Sequence, residues 1–272
     1  MKRPTAEAGA NQQNAGKIRT KKTAAKATSS APAQAVAAKA GNHRGAADAL
    51  AAYRGKRDFS ASPEPQGTAQ RAGKPATVRP FCIQKHLASH LHYDFRLEHR
   101  GVLLSWAVPK GPSLDPAVKR LAVRVEDHPR DYGDFEGVIP SGYGAGIVVL
   151  WDRGLWQPDD PDVDAALAKG ELKFTIVGEK LKGSWVLVRF QRAGPRNWML
   201  IKHRDPWATS GDITEQKPES VNGSGDFADI LKASGKNPWP DAAPVAGGET
   251  GALFADIIAE AYSAPAGKAH RR

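Results

Sequence analysis

Residues 81–98 read Phe81-Cys-Ile-Gln-Lys-His-Leu-Ala-Ser-His-Leu-His-Tyr-Asp-Phe-Arg-Leu-Glu98, and the second half of this stretch alternates between polar and apolar side chains. Because successive side chains of a strand point to opposite faces, the pattern predicts a strand with one apolar face that packs into a core. The other face carries an imidazole, a carboxylate and a guanidinium in a row, from His92, Asp94 and Arg96. This polar face is the first candidate for a functional site.

A divalent metal ion fits part of this face. His86 lies six residues before His92, so a bend can bring both imidazoles to the carboxylate of Asp94. Two nitrogens and one carboxylate oxygen, without a thiolate, suit Mn²⁺ or Zn²⁺ and leave positions open for water and substrate. Arg96 on the same face is placed to bind a phosphate group. The sequence therefore predicts a metal site beside an anion site.

The positive charge of the chain is concentrated at its N-terminus. The formal net charge is +10, and residues 1–50 hold nine Lys or Arg against two acids. These residues are rich in Ala and poor in large apolar side chains, so we expect a disordered basic arm. Such an arm suggests a polyanionic partner, most often nucleic acid, and a solvated tail is the alternative interpretation.

Cysteine content and hydropathy restrict the protein class further. The single cysteine, Cys82, excludes an internal disulfide and any metal cluster built on several cysteines. The sequence contains no apolar stretch approaching the ~18 residues of a membrane span. We therefore expect a cytoplasmic or nucleoid-associated bacterial protein, monomeric and without a membrane partner.

Short runs rich in β-branched and aromatic residues, separated by Gly and Pro turns, predict a mainly β fold. They indicate an all-β barrel or sandwich with little helix. One helix is predicted over 161–169, with Asp160 as the N-cap and Gly170 just past its end. The strand runs are 78–84, the hairpin 92–108, then 121–125, 147–152, 172–177, 184–190 and 198–203.

The same features divide the chain into three predicted parts. Residues 1–50 are the basic arm, 51–207 the β domain and 208–272 a polar, low-complexity tail. Within this tail, Phe227–Leu231 and Leu253–Tyr262 are candidates for short amphipathic helices.

Three further features are candidates for function. His128 closes a predicted strand, where a histidine can bind phosphate, donate a proton to a leaving oxygen, or only cap the strand. Lys110 lies in a Pro-flanked Gly turn from which it could reach an anion, and an ordinary exposed lysine is the other interpretation. The Gly-rich loop 142–146 lacks the Lys-Ser/Thr and helix of a phosphate-binding loop, so it predicts a tight turn.

Five motifs follow one another in order: Gln84-Lys-His, Leu91-His-Tyr-Asp-Phe-Arg-Leu-Glu98, Ser105-Trp-Ala-Val-Pro-Lys-Gly-Pro112, Val125-Glu-Asp-His-Pro129 and Asp134-Phe-Glu-Gly-Val-Ile-Pro140. Together they closely resemble the 3′-phosphoesterase domain of bacterial DNA ligase D, an enzyme of non-homologous end joining. The resemblance covers about residues 53–207. It implies a compact closed β-barrel of about eight strands with short flanking helices.

The resemblance also implies an activity and a set of site residues. Enzymes of this family depend on Mn²⁺, trim a 3′-terminal ribonucleotide to leave a 3′-phosphate, and then remove that phosphate to expose a 3′-OH. The implied metal ligands are His86, His92 and Asp94, with Zn²⁺ or Co²⁺ as other candidate ions. The other implied site residues are Arg96 and His128 at the phosphate, and Gln84, Lys110, Glu126 and Tyr132 around it. Arg57, Asp58 and Glu64 match family residues that are important for activity, notably for ribonucleotide removal.

Two departures from the family pattern stand out. The family's Ile-Pro-x-Gly-x-Tyr-Gly loop is one residue shorter here, as Ile139-Pro-Ser-Gly-Tyr-Gly144. No polymerase or ligase sequence accompanies the domain, so a stand-alone phosphoesterase is expected. Its expected partners are DNA or RNA-tipped DNA 3′ ends, and candidate protein partners are a ligase, a polymerase or the end-binding Ku protein.

Two other function classes remain open on the sequence. A non-catalytic module that binds DNA ends would keep the barrel and the basic arm. A non-haem Fe(II) oxygenase would use two histidines and one carboxylate as its metal ligands, although Arg96 on the same face and the family motifs favour the phosphoesterase.

Overall fold

The computed structural model describes residues 49–67, 78–190 and 194–263. The predicted arm lies outside these residues except for its last two positions, and so does the end of the chain from residue 264. The strands are β1 Arg79–Leu87, β2 Leu91–His99, β3 Val102–Val108, β4 Lys119–Arg124, β5 His128–Pro129, β6 Gly137–Ile139, β7 Gly146–Pro158, β8 Glu171–Gly178, β9 Lys182–Arg189 and β10 Asn197–Lys202. The helices are α1 Ala51–Arg54, α2 Val163–Lys169, α3 Ile213–Gln216, α4 Phe227–Ala233 and α5 Gly248–Tyr262, with a 3₁₀ helix at Arg130–Asp134.

Eight of the strands close into an antiparallel barrel. They pair in the order β1-β2-β3-β4-β10-β9-β8-β7, and β7 pairs with β1 to complete the ring. The two short strands lie off this ring, with β5 beside β3 and β6 beside β7. Closure gives every long strand a partner on both sides, which removes exposed sheet edges. The predicted mainly β fold and closed barrel of about eight strands are confirmed.

The barrel interior is filled by apolar side chains from all eight strands. Alternation places Ile83 of β1 and Phe95 of β2 in this core. Five tryptophans of the barrel strands are buried: Trp106, Trp151, Trp156, Trp185 and Trp198. Alternate side chains of each strand fill the interior. The polar side chains at the other positions of β1 and β2 therefore lie on the outer face of the barrel.

Several element boundaries differ from the sequence prediction, and those of β1 and α2 have a clear physical reason. Strand β1 continues to Leu87 because it pairs with both β2 and β7, so His86 lies in a strand rather than in the predicted loop. Helix α2 begins at Val163, and its N-cap is Asp162 rather than the predicted Asp160, because the Asp162 side chain accepts the Ala165 N–H. The predicted end at Gly170 is confirmed, with φ of 89°.

Residues after the barrel form helices that pack on its outside. The predicted helices at 227–231 and 253–262 are present as the longer α4 and α5. An apolar cluster joins Phe254 of α5 and Leu231 of α4 to Leu87 and Ile147 of the barrel. Helix α4 carries a capping box made by Asp226 and Asp229. Among the described residues, no helix has both the length and the apolar character needed to cross a membrane.

Candidate metal and phosphate site

The polar face of the β1–β2 hairpin forms the floor of a pocket on the outside of the barrel. His86 pairs with His92, and Gln84 pairs with Asp94, across the two strands. The pocket has a volume of about 440 Å³. Its walls come from the 49–67 segment, the loop before β5, the Gly-rich loop and residues 244–245.

Three side chains on this floor converge on one point. The distance from His86 Nδ1 to Asp94 Oδ2 is 3.6 Å, and that from His92 Nε2 to the same oxygen is 3.7 Å. One candidate ligand atom from each of the three residues lies within 4.8 Å of the others. Ligands that bind one ion at about 2.0–2.2 Å stand roughly 3–4 Å apart, so this spacing suits a single divalent cation after a small contraction.

Hydrogen bonds on the far side of each ring orient both imidazoles. His86 Nε2 lies 3.0 Å from the Gly144 carbonyl, and His92 Nδ1 lies 2.9 Å from the His90 carbonyl. A carbonyl can only accept, so these nitrogens carry the protons. The lone pairs of His86 Nδ1 and His92 Nε2 therefore face Asp94. This is the outer-shell pattern of metal-binding histidines, and the residues present fit a divalent metal.

The charges around Asp94 keep it ionised. Burial works to raise the pKa of Asp94, but the Arg96 guanidinium and the two histidines lower it well below its usual range. Burial lowers the pKa of His86, which favours the neutral ring needed for ligation. Burial acts in the same direction on His92, but the charge and hydrogen bond of Asp94 outweigh it and raise the pKa of that ring.

Arg96 is a buried cation held by three partners. Its Nε donates to Gln84 Oε1 at 2.7 Å, Nη1 to Ser105 Oγ at 2.8 Å and Nη2 to Asp94 Oδ2 at 2.9 Å. The Tyr132 ring lies 4.9 Å from its Cζ atom. These bonds use three of the five N–H donors of a guanidinium, so two remain for an anion in the pocket.

The 49–67 segment brings a second arginine to the pocket. Tyr53 is fully buried against the outer face of the barrel and anchors this segment. Arg57 Cζ lies 3.9 Å from the centroid of the Tyr53 ring. Arg57 Nε donates to Glu64 Oε1 at 2.8 Å, and the Tyr132 hydroxyl donates to the same oxygen at 3.1 Å. Glu64 thus fixes both side chains at the pocket wall.

His128 is neutral in this arrangement. Its Nδ1 donates to the Glu126 carbonyl at 2.9 Å, and its Nε2 accepts from Arg57 Nη2 at 3.2 Å. Burial, together with the charges of Arg96 and Arg57, lowers the pKa of His128 well below its usual range. His128 therefore resists protonation at Nε2 while the charges of the two arginines are not offset. Protonation of that atom requires an anion that offsets them.

The remaining predicted residues divide into two groups. Glu126 lines the pocket, where its carboxylate binds Lys56 Nζ at 2.9 Å and Arg57 Nη1 at 3.4 Å. Asp58 and Lys110 are exposed and are not among the residues that line the pocket. The Asp58 carboxylate instead accepts the backbone N–H and the hydroxyl of Ser60.

Some residues that line the pocket or support its side chains were not predicted from the sequence. Ser105 holds Arg96 and stands directly opposite it in the β2–β3 register, so the predicted hairpin contained the information needed to find it. Val245 and the preceding Pro244 form part of the wall from a segment far along the chain. No periodic pattern links that segment to the hairpin, because the contact depends on how α4 and α5 pack.

The fold and the pocket together define a closed β-barrel protein with a candidate metal and anion site on its outer face. A model of the DNA Ligase D 3′-phosphoesterase domain matches residues 84–189. That span contains the three candidate ligands, the three residues that hold Arg96, and His128. Residues 84–189 therefore belong to the DNA ligase D 3′-phosphoesterase domain family, as the sequence motifs predict.

Similar proteins have names that agree with this family. The chain is 51% identical over 208 residues to the multifunctional non-homologous end joining protein LigD of Pseudomonas aeruginosa, a match that covers 74% of this chain and 24% of that protein. It is 40% identical over 195 residues to LigD of Mycolicibacterium smegmatis, covering 70% and 23%, respectively. LigD of Mycobacterium tuberculosis is 46% identical over 150 residues, covering 53% and 18%. The chain thus spans about a quarter or less of the length of these relatives.

Proposed function

We propose that this protein is a Mn²⁺-dependent phosphoesterase that heals DNA 3′ ends. It removes 3′-terminal ribonucleotides and 3′-phosphates from primer–template ends and leaves a 3′-OH. Family membership supports phosphoester chemistry, and the names of the relatives support a role in non-homologous end joining. Ligase, polymerase and Ku proteins are the partners that this role suggests. The cytoplasm, at the bacterial nucleoid, is the location that it suggests.

The observation that carries the proposal is the cluster of His86, His92 and Asp94 beside two arginines. Among the side chains that line the pocket, three carboxylates face two guanidinium groups. Lys56 at the rim pairs with Glu126, so with neutral histidines these formal charges cancel and the side chains alone offer a phosphate little net attraction. A divalent ion at the cluster would make the local charge positive, so metal binding and phosphate binding are coupled at this site.

The side chains of the pocket divide the work. A bound Mn²⁺ supplies Lewis-acid polarisation of the phosphorus–oxygen bonds and lowers the pKa of water. The two remaining N–H donors of Arg96 bind a non-bridging oxygen and stabilise the charge that develops there. Arg57 places a second positive charge on the same side. Once a bound phosphate offsets the charges of Arg57 and Arg96, His128 Nε2 takes a proton from water or holds one for the leaving oxygen.

The proposal is tested with two primer–templates, one ending in a single ribonucleotide and one ending in a 3′-phosphate. Each is incubated with Mn²⁺, Zn²⁺, Co²⁺ or a chelator, and the products are resolved by length and by 3′-end chemistry. We expect Mn²⁺-dependent loss of the ribonucleoside and of the phosphate. We expect His92→Ala and Asp94→Ala to abolish both reactions.

His90→Ala is the matched control for His92→Ala. Its side chain is exposed and does not line the pocket, and the backbone carbonyl that orients His92 is retained. Normal activity of His92→Ala would refute the proposal. Binding of DNA ends without any metal-dependent product would favour a non-catalytic module. Oxygen consumption with Fe²⁺ and a 2-oxo acid would favour an oxygenase.

A further inference from the structure

Tyr143 is an exposed aromatic residue at the mouth of the pocket. Half of its side chain is accessible to solvent, yet it lines the same cavity as the candidate metal ligands. Single exposed aromatic side chains are common on protein surfaces, so the informative observation is the position of this ring beside the candidate metal ligands rather than its exposure alone. The ring has no role in the division of work proposed above.

The backbone holds this ring close to the metal cluster. Tyr143 stands between Gly142 and Gly144, whose φ angles of 81° and 80° lie in the left-handed region that favours glycine. A turn hydrogen bond from Ala145 N to the Gly142 carbonyl closes the tip of the loop at 3.2 Å. The Gly144 carbonyl accepts the proton of His86 Nε2. One peptide unit, about 3.8 Å between Cα atoms, therefore separates Tyr143 from the residue that orients a candidate ligand.

Two cations lie over the ring, which remains half exposed. Lys56 Nζ lies 4.6 Å from the centroid of the Tyr143 ring and 3.4 Å from its hydroxyl. Arg57 Cζ lies 5.4 Å from the same centroid. The mouth of the pocket thus pairs an aromatic face with cations, which is the combination that binds the bases and the backbone of single-stranded nucleic acid.

We propose that Tyr143 stacks on the nucleobase at the 3′ terminus of the strand being processed. Its backbone anchor at Gly144 then lets one nucleotide place its phosphate at the metal cluster and its base on the ring. Stacking is tolerant of base identity, because every base has a π-face, as suits an enzyme that must accept any end. This inference rests on the proposed function, since it assigns the substrate's terminal base to a subsite of the same pocket.

A fluorescent terminal base tests the stacking directly. The probe is a primer–template whose primer ends in a 2-aminopurine deoxynucleotide with a 3′-OH, which is a product rather than a substrate in the proposed function. We expect its emission to fall when the full chain binds, because stacking quenches 2-aminopurine. In Tyr143→Ala the quenching should disappear and the apparent Kd should rise roughly 5- to 150-fold. Tyr143→Phe, which keeps the ring, should restore the quenching.

Trp207→Ala is the matched control. Trp207 is 53% exposed and lies 5.0 Å from Lys182 Nζ, a similar aromatic and cation pair, but it does not line the pocket. We expect this variant to quench and bind like the unchanged protein. Quenching that survives in Tyr143→Ala, or that is lost equally in Trp207→Ala, would overturn the assignment.

A second measurement separates this inference from the proposed function. Phosphate release is followed from primers that end in a 3′-phosphate on either a base-bearing or an abasic sugar. The unchanged protein should have the lower KM for the base-bearing end, and Tyr143→Ala should erase the difference while kcat changes little. Phosphate release with no preference for a base would refute stacking but leave the proposed function standing. Tyr143-dependent quenching without phosphate release from any primer would support stacking but refute the proposed function.

Discussion

Replacement of Gln84 by Met is a sharp test of how the pocket is held together. Gln84 is fully buried, and its amide makes three hydrogen bonds. Nε2 donates to the carbonyls of Tyr132 at 2.9 Å and Phe135 at 2.8 Å, while Oε1 accepts Arg96 Nε at 2.7 Å. Methionine has a similar length and can fill the space, but it can neither donate nor accept with comparable strength.

The cost follows from the groups that the substitution leaves unpaired. The Tyr132 carbonyl keeps a second donor, the Phe135 N–H at 3.1 Å, so its loss is small. The Phe135 carbonyl is partly buried and should lose about 1 kcal/mol. Arg96 Nε–H is a buried charged donor whose acceptor is Gln84, and no other acceptor is found for it in the described part of the chain, so its loss should cost about 2–3 kcal/mol. We therefore expect the free energy of unfolding to fall by about 3–4 kcal/mol, and Tm by about 6–16 °C.

The assay is urea unfolding followed by circular dichroism, with Gln157→Met as the control. Gln157 is an exposed strand residue of β7, so the same change there should alter stability by less than about 0.5 kcal/mol. At a temperature where Gln84→Met remains folded, we also expect lower kcat/KM, because Arg96 loses one of its three positional contacts. A loss below about 1 kcal/mol at an unchanged m-value would refute the hydrogen-bond network as the support of Arg96.

Three further predictions concern other parts of the protein. Phe254→Ala should lower the free energy of unfolding by about 3–5 kcal/mol, because the ring is fully buried between α5 and the barrel; the exposed Phe190→Ala should cost less than about 0.5 kcal/mol in the same denaturant titration. Burial raises the pKa of Cys82 to about 12, so the thiol should resist a disulfide reagent at pH 8 and react only in urea; rapid labelling of the folded protein would contradict this burial. Burial and the neighbouring charges of Arg96 and Arg57 lower the pKa of His128, so ring ¹⁵N spectra at pH 6 should show a neutral Nδ1–H tautomer, and Arg57→Gln should raise that pKa. Because the unfolded ring binds a proton near pH 6.5 and the folded ring does not, this group should reduce stability as pH falls below 6.5, by at most about 1.4 kcal/mol per pH unit.

The central hairpin was predictable because it is governed by local rules. Side chains of a strand alternate between its two faces, so Ile83 and Phe95 point to the core while Gln84 and Asp94 point to the opposite face. This assignment does not depend on the rest of the chain. Barrel closure adds the fact that this face lies outside the barrel, where other segments can cover it. The predicted meeting of His86 with Asp94 therefore occurs through strand pairing instead of a bend, and the alternation of β1 already contained that answer.

The walls of the pocket were less predictable, because residues distant in sequence must meet on that outer face. Arg57 and Glu64 reach it only because Tyr53 is buried against the barrel, and Val245 reaches it only because α4 and α5 pack beside it. The alternation of side chains along one strand describes only that strand, so it carries no information about contacts with distant segments.

The matched span of the family model has a physical consequence for experiments. Residues 84–189 contain the candidate metal ligands, but β10 lies beyond them at Asn197–Lys202. In the barrel β10 pairs with β4 on one side and with β9 on the other, so a fragment without it has two open edges. The same fragment lacks Arg57 and Glu64, which fix one wall of the pocket. Its failure to cleave a primer would therefore report on the missing strand and wall rather than on the chemistry of His86, His92 and Asp94. Decisive measurements require the chain from the 49–67 segment through α5.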